Sequence, residues 1–208
     1  MSDAAGSTPP SGLLIAIRGR RSIRRYRPEA VPRAVLETLL TAAIWSPSAH
    51  NRQPWRFAVV ETVERKTQLA VAMGERLRRD LEADSVPEAA IIADTTRSYE
   101  RITTAPVVIV VCLTMADMDS YPDERRSRSE FVMAVQSVAM AGQSLLLAAH
   151  DAGLGACWLC APLFCPDVVQ TALSLPADWQ PQGLITLGFP AESRVRDRRP
   201  LESSVLWR

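Results

Sequence analysis

Lysine is almost absent from this chain. Lys66 is the only one, and the rest of the 24 basic residues are arginine. Genome composition can produce such a bias, so the shortage identifies no function. It does mean that a phosphate held here by a basic side chain is held by an arginine fork. Histidine is nearly as scarce, with His50 and His150 alone, and no Ser-His-Asp or Cys-His arrangement stands out. The four cysteines are Cys112, Cys157, Cys160 and Cys165. In a cytosolic chain of this size they read as reduced thiols rather than a disulfide framework. Cys157-x2-Cys160 invites a metal or redox reading, but residues three apart on a strand point to opposite faces, and buried thiols are the default. A dinucleotide fingerprint is missing too, because Gly153 and Gly155 follow a helix where that motif requires a strand. The formal charge of +1 lacks the basic excess of a dedicated nucleic-acid binder. Residues 1–12, MSDAAGSTPPSG, lack a basic start followed by an apolar stretch and read as a disordered tail. The expectation is therefore a cytoplasmic protein.

What is present is an ordinary globular composition, 47% hydrophobic and 23% charged. Residues 13–208 contain no internal repeat or linker and are expected to form one domain. Helical and strand patterns are intermixed, so the class is α+β or α/β. A short helix is expected over 13–20, and a second opening at Pro32 with Val35, Leu36, Leu39, Leu40, Ala43 and Ile44 on its inner face. Strands are expected at Phe57–Val60, along VVIVVCL after Pro106, at ACWLC, and at LITLGF. Helical patterns over 63–83 and from Pro87 to about Tyr99 form an excursion that reads as a lid over a site. The most apolar helix runs from about Glu130 to Asp151. Its polar residues form a narrow stripe of Gln136, Gln143 and His150 beside Glu130, Ser137, Ser144 and Asp151. A striped helix apolar over most of its circumference is buried rather than membrane-spanning. His150 reads as a helix-terminal residue.

Two features carry chemistry. RGRRSIRRYRP crowds Arg18, Arg20, Arg21, Arg24, Arg25 and Arg27 together with no acid before Glu29. Such cations repel one another unless water screens them or an anion sits among them, and guanidinium groups pair with phosphate oxygens through two parallel hydrogen bonds. The second is WSPSAHNRQPWRF, from Trp45 to Phe57, a loop dense in hydrogen-bonding side chains between a helix and a strand. Such loops are where binding resides. A further basic group, Arg194, Arg196, Arg198 and Arg199, precedes a terminus ending in Val205, Leu206 and Trp207. With no nucleophile or acid–base pair conspicuous, the pattern suits chemistry carried by a bound phosphorylated cofactor.

At residues 13–202 the chain resembles the nitroreductase family of flavoproteins. The likeness rests on RGRRSIRRYRPEAVP, SPSAHNRQPWRF, GLGACWLCAP, LSLPADWQPQGLITLGFPAE and RDRRPLE. It implies an α+β fold with a mixed central sheet flanked by helices, and a homodimer with the long apolar helix at its core. Two FMN molecules would sit at the subunit interface. By the same resemblance Arg20, Arg21, Ser22 and Arg24 hold the FMN phosphate and ribityl chain. Pro47, Ser48, Asn51 and Gln53 reach that flavin from the other subunit. Backbone at Cys160 and Ala161 faces the flavin edge near its reactive nitrogen, and Arg196 and Arg198 close the phosphate site. The family often has an acidic residue and a glycine where Cys160 and Ala161 stand.

The expected activity is that of an FMN-dependent oxidoreductase. It would pass electrons from NAD(P)H to a nitroaromatic, quinone or other conjugated small-molecule acceptor, with no metal, membrane or nucleic acid involved. CWLC and LPADWQPQGLITLGFPAE look most like the flavin domain attached to the ligase of deazaflavin coenzyme biosynthesis. The alternative activity is thus reduction of a dehydro precursor of that coenzyme. A third reading makes the arginines a binding surface for nucleic acid or another anionic partner.

Overall fold

Strand β2, Val107–Leu113, is buried along its whole length, and the two halves of the core lie on its two sides. Val107, Ile109, Val111 and Leu113 face one hydrophobic cluster, and Val108, Val110 and Cys112 face the other. This is the two-residue period of a strand covered on both faces. The computed structural model describes residues 12–208. The tail expected over 1–12 lies outside them except for Gly12, which opens the first helix.

The chain runs α1 (Gly12–Gly19), α2 (Arg33–Ile44), β1 (Trp55–Val60), α3 (Val63–Ala83), α4 (Glu88–Thr103), β2, α5 (Glu124–Asp151), β3 (Gly155–Leu159), α6 (Pro166–Leu173) and β4 (Gln180–Gly188). The four strands lie in the order β1-β2-β4-β3. All three ladders are antiparallel, and the parallel component among the described residues is the single bridge Ser22–Ala156. The class is α+β, as expected. Between β2 and β4 the register shifts at Val111/Cys112, where Pro181 stands opposite Cys112. A proline cannot donate to a ladder, and a bulge is where a sheet tolerates one.

Helices α2 and α5 cover the first face through Leu36, Leu39, Ala43, Val138, Ala141 and Leu145. α5 begins six residues before the expected Glu130, because the Asp123 side chain caps it by accepting from the Arg126 N–H at 3.0 Å. A carboxylate there complements the positive end of the helix dipole. By length and hydropathy alone α5 would pass for a membrane-crossing helix. Its buried positions are instead packed on the sheet and α2, and include Glu130 and Ser137.

The second face is covered by α3, α4 and α6, through Leu69, Ala70, Met73, Ile102 and Val169. The 63–100 stretch is therefore a structural layer and not a lid, since Leu69, Ala70, Met73 and Ile91 are buried in it. The lone lysine belongs to this layer. Lys66 is 5% exposed, and its Nζ donates to Ala105 O at 2.6 Å and Pro106 O at 3.1 Å. Those bonds tie α3 to the corner where α4 turns into β2.

One aromatic side chain depends on two glycines. A Cβ on Gly142 of α5 would lie 2.4 Å from the Trp158 ring, and one on Gly183 of β4 would lie 2.5 Å from it. Rigid ring atoms cannot yield that distance, so Gly142→Ala should destabilise the protein by about 1–3 kcal/mol, the usual range for overpacking a core. Gly74, inside α3 with nothing within 4 Å, is the control. Gly74→Ala should stabilise by about 0.5–1 kcal/mol through helix propensity. Urea unfolding of both variants checks the pair.

Burial pushes the Cys112 thiol up to about 12 from 9.0. It raises Tyr26 as well, opposed in part by the hydrogen bond to Thr186. A group whose folded value is raised keeps its proton when the unfolded chain has released it. Its contribution is complete below the unfolded value and is lost as pH climbs toward the folded one. For Cys112 the loss begins near the thiol's ordinary 9.0. Unfolding free energies measured from neutral pH to about pH 11 should fall over the upper part of that range. The fall should be shallower in Cys112→Ala.

Candidate functional site

The arginine-rich segment leaves α1 and runs beside β3. Its backbone is fixed by Ile23 N–H to Ala156 O at 3.0 Å, Arg27 N–H to Phe189 O at 2.8 Å and Ala191 N–H to Arg25 O at 3.0 Å. The Arg24 N–H donates to Glu192 Oε1 at 2.7 Å. Tyr26 completes the anchor, with its hydroxyl 2.7 Å from Thr186 Oγ1 and 3.0 Å from Thr186 O. These bonds hold like charges side by side without using the charges themselves.

Two cavities open along this segment. One, of about 270 Å³, is lined by Arg20, Arg21, His150, Gly155, Glu192, Ser193 and Arg194 among others. The second, of about 640 Å³, is lined by Arg24, Arg25, Tyr26, Arg97, Glu100, Arg101, Thr104 and Arg194. The Nε atoms of Arg20, Arg21 and Arg24 are buried and have no hydrogen-bond partner among the described residues. A buried donor with no acceptor is costly, and three of them beside two cavities fit an anionic group rich in acceptor oxygens.

Like-charge crowding shows in the titration of Arg101. Burial lowers it first, and Arg24, Arg97 and Arg194 lower it further. Beneath the cluster, burial raises the Cys157 thiol, while Arg24, Ser22, Arg101 and Arg20 pull it part of the way back. The neighbouring carboxylate is already engaged. Arg194 donates to Glu192 Oε2 at 2.9 Å and, with the Arg24 N–H, holds that carboxyl below its usual range.

Arg20, Arg21, Ser22 and Arg24 are thus brought together. Arg196 and Arg198 are not: both are exposed, and neither lines either cavity. Arg194 stands where they were expected, because Glu192 draws it in. Arg101 was missed. It sits just past the 63–100 stretch, and no local pattern separates it from surface arginines. The antiparallel pairing of β2 with β4 brings the end of α4 alongside Tyr26. The Cys-x2-Cys pair diverges as expected, with Cys157 buried and Cys160 exposed. Among the described residues no group of side chains could hold a metal ion.

The Trp45–Phe57 loop is built for precision. His50, Asn51 and Gln53 all have left-handed backbone, φ of 49, 55 and 51°. Non-glycine residues there cost of order 1–3 kcal/mol each, and such strain clusters at functional sites. The polar stripe of α5 holds the loop down. Ser46 and Ser144 hydroxyls are 2.7 Å apart, and the Ala49 N–H donates to Ser137 Oγ at 3.3 Å. Ser48 Oγ accepts from Gln53 N–H at 3.0 Å, closing the turn. Pro47, Asn51 and Gln53 are exposed.

The loop does not reach the arginines of its own chain. Its Ala49 end docks at Ser137, whereas the arginine cavity abuts His150 at the other end of α5. Thirteen residues of α-helix separate them by about 20 Å. Cys160 and Ala161 lie beyond the end of β3 and are exposed. They are about 13 Å along the strand from Ala156, which pairs with Ser22.

The layered α+β chain carries, along one sheet edge, three arginines whose buried Nε atoms have no hydrogen-bond partner among the described residues. The Nitroreductase family matches residues 17–189, and the chain belongs to that family of oxidoreductases. It is 33% identical over 214 residues to an NADH dehydrogenase of Thermus thermophilus, covering 91% of this chain and 92% of that protein. It is 30% identical over 185 residues to a 5,6-dimethylbenzimidazole synthase of Rhodospirillum rubrum, covering 87% and 83%. A Desulfovibrio desulfuricans protein assigned as a nitroreductase and solved in complex with FMN superposes with a TM-score of 0.75. It shares 32% identity, over 96% of this chain and 98% of that one.

If the cavities take an anion, binding should stabilise the fold by RT ln(1 + [L]/Kd). Inorganic phosphate should raise the melting temperature of flavin-free protein more than chloride at equal ionic strength. Arg20→Ala and Arg24→Ala should each shrink that difference.

Proposed function

We propose that this enzyme is an FMN-dependent oxidoreductase, taking electrons from NAD(P)H and passing them to a nitroaromatic, quinone or other conjugated acceptor. The observation that carries the reading is that Arg20 and Arg21 line one cavity and Arg24 the other, while the buried Nε atom of each has no hydrogen-bond partner among the described residues. The FMN in the Desulfovibrio structure and the name of the Thermus relative support cofactor and donor. Bound FMN supplies the hydride chemistry, and the protein supplies binding, orientation and electrostatics. Arg20 and Arg21 would hold the phosphate by charge-assisted hydrogen bonds, with Ser22 as a neutral donor. Arg24 and Arg101 would place positive charge along the same edge. Cys160 and Ala161 would face the flavin from the end of β3. No side chain is required as nucleophile or general base.

The separation of the two half-sites supports a homodimer. Asn51 and Gln53 lie away from the arginines of their own chain, and a second copy would bring its loop to them. The apolar side chains left open fit this: Ile44, Trp45, Phe131, Met140, Leu163 and Phe164 are all exposed in the single chain. An exposed apolar surface of this extent marks an interaction site.

Protein purified with FMN should show a flavin absorbance spectrum that bleaches under anaerobic NADH or NADPH. Arg20→Ala should weaken FMN binding by about tenfold to a hundredfold, the range for a lost hydrogen bond to a charged group. Protein that stays colourless with added FMN would sink the reading. Turnover of simple nitroaromatics and quinones, compared with a dehydro deazaflavin precursor, separates the two acceptor classes. Mixing Arg20→Ala chains with Asn51→Ala chains should recover one intact flavin site per mixed dimer. No recovery would mean that both residues serve a site within one chain.

A further inference from the structure

The smaller arginine cavity has a wall that electrostatics would not choose for an anion. It abuts the C-terminal end of α5, through Leu146, His150 and Gly153. A helix C-terminus carries the negative end of the helix dipole and favours cations. Phosphate sites use the opposite end. Part of the negative end is masked: Ala152 and Gly153 N–H groups donate to Ala148 O and His150 O, and Leu154 N–H to Ala149 O. The aligned dipoles remain. His150 is the one basic residue in the last turn of α5.

The imidazole is also held at close quarters. A Cβ on Gly19 would lie 2.8 Å from His150 Nε2, so glycine there leaves room for the ring against the backbone just before Arg20 and Arg21. The ring is half-buried and lines the same cavity as those two arginines, whose Nε atoms lack acceptors. The polar stripe of α5 thus has three uses. Ser137 and Ser144 dock the loop, Glu130 accepts from the Asp119 N–H at 3.1 Å, and His150 reaches the cavity.

We infer that His150 is a phosphate-site residue: its imidazolium closes the anion cavity at the end of α5, offsets the helix dipole and donates to the cofactor phosphate beside Arg20 and Arg21. This rests on the FMN reading above. Histidine ordinarily changes charge between pH 5 and 8, so the grip on the phosphate is strongest when the ring is protonated and relaxes as pH rises. Other charged groups stand on the elements around the ring. They are Arg18 at the end of α1, Arg20 and Arg21 after it, Glu192 and Arg194 after β4, and Asp151 on α5 itself.

The test is fluorescence titration of flavin-free protein with FMN and with riboflavin, for the wild type and His150→Gln, at about pH 6 and about pH 8.5, on either side of a histidine titration. Taking the ratio of the two proteins' Kd values at each pH cancels the ligand's own phosphate ionisation. For FMN the variant should bind about tenfold more weakly at the lower pH, a charge-assisted hydrogen bond's worth, with the ratio falling toward unity at the higher. For riboflavin, which has no phosphate, the ratio should stay near unity at both, which also shows that the variant folds. An FMN ratio that does not change with pH, or an equal loss for riboflavin, overturns the role of His150 and leaves the flavin reading standing. Failure of the wild type to bind either flavin at both pH values overturns the flavin reading, and this inference with it.

Discussion

Like charges gathered without counter-charge push apart, and everything at this site depends on how the fold resists that push. The restraint is neutral. Backbone bonds from Ile23 to Ala156 and from Arg27 to Phe189, with the Tyr26 hydroxyl on Thr186, fasten the arginine segment to the edge of the sheet. Arg20, Arg21 and Arg24 are then left with buried donors and no acceptor. Side chains that neutralised one another would have made a quiet surface. An Nε donor left without a partner keeps its pull for a ligand. Glu192 is the exception, and it engages Arg194 and one backbone N–H without occupying the guanidinium groups below.

The long helix α5 serves as a ruler for the rest. Its inner face fills the core, and its polar stripe positions the loop at one end and the arginine cavity at the other. Ser137, under Ala49, and His150, at the cavity, are about 20 Å apart along thirteen residues of helix. The same element therefore both anchors the polar loop and lines the arginine cavity. Its close packing on β3 and β4 needs Gly142 and Gly183 to admit Trp158, so the end of β3 that leads to Cys160 has little freedom.

Strand and helix identity was largely legible in sequence, for periodic reasons. VVIVVCL is apolar at every position and became the strand buried on both faces. Pro166 opens a helix that runs to Leu173, in the first turn where its missing N–H costs nothing. Errors fell where local signals were weak or answered to a distant partner. The start of α5 was placed late because Arg125, Arg126 and Arg128 make its first turns look like a loop, and only the Asp123 cap betrays them. The 63–100 stretch resembles a lid in sequence because its outer face is crowded with charge, while Leu69, Ala70 and Met73 face inward. Arg194 was passed over for Arg196 and Arg198, since nothing local marks the one that Glu192 would draw in.

Composition and spacing determined that any phosphate here meets arginine, that one helix is striped and that a polar loop lies between a helix and a strand. These are properties of residue type and short-range period, and a linear chain displays them. Which arginines share a cavity is different in kind. Arg101 joins Arg24 because β2 lies antiparallel to β4, and His150 joins Arg20 because α5 ends against the glycine that closes α1. Those neighbours are set by the pairing of strands and the burial of both sheet faces, which depend on residues dozens of positions away. Only the folded chain could decide them.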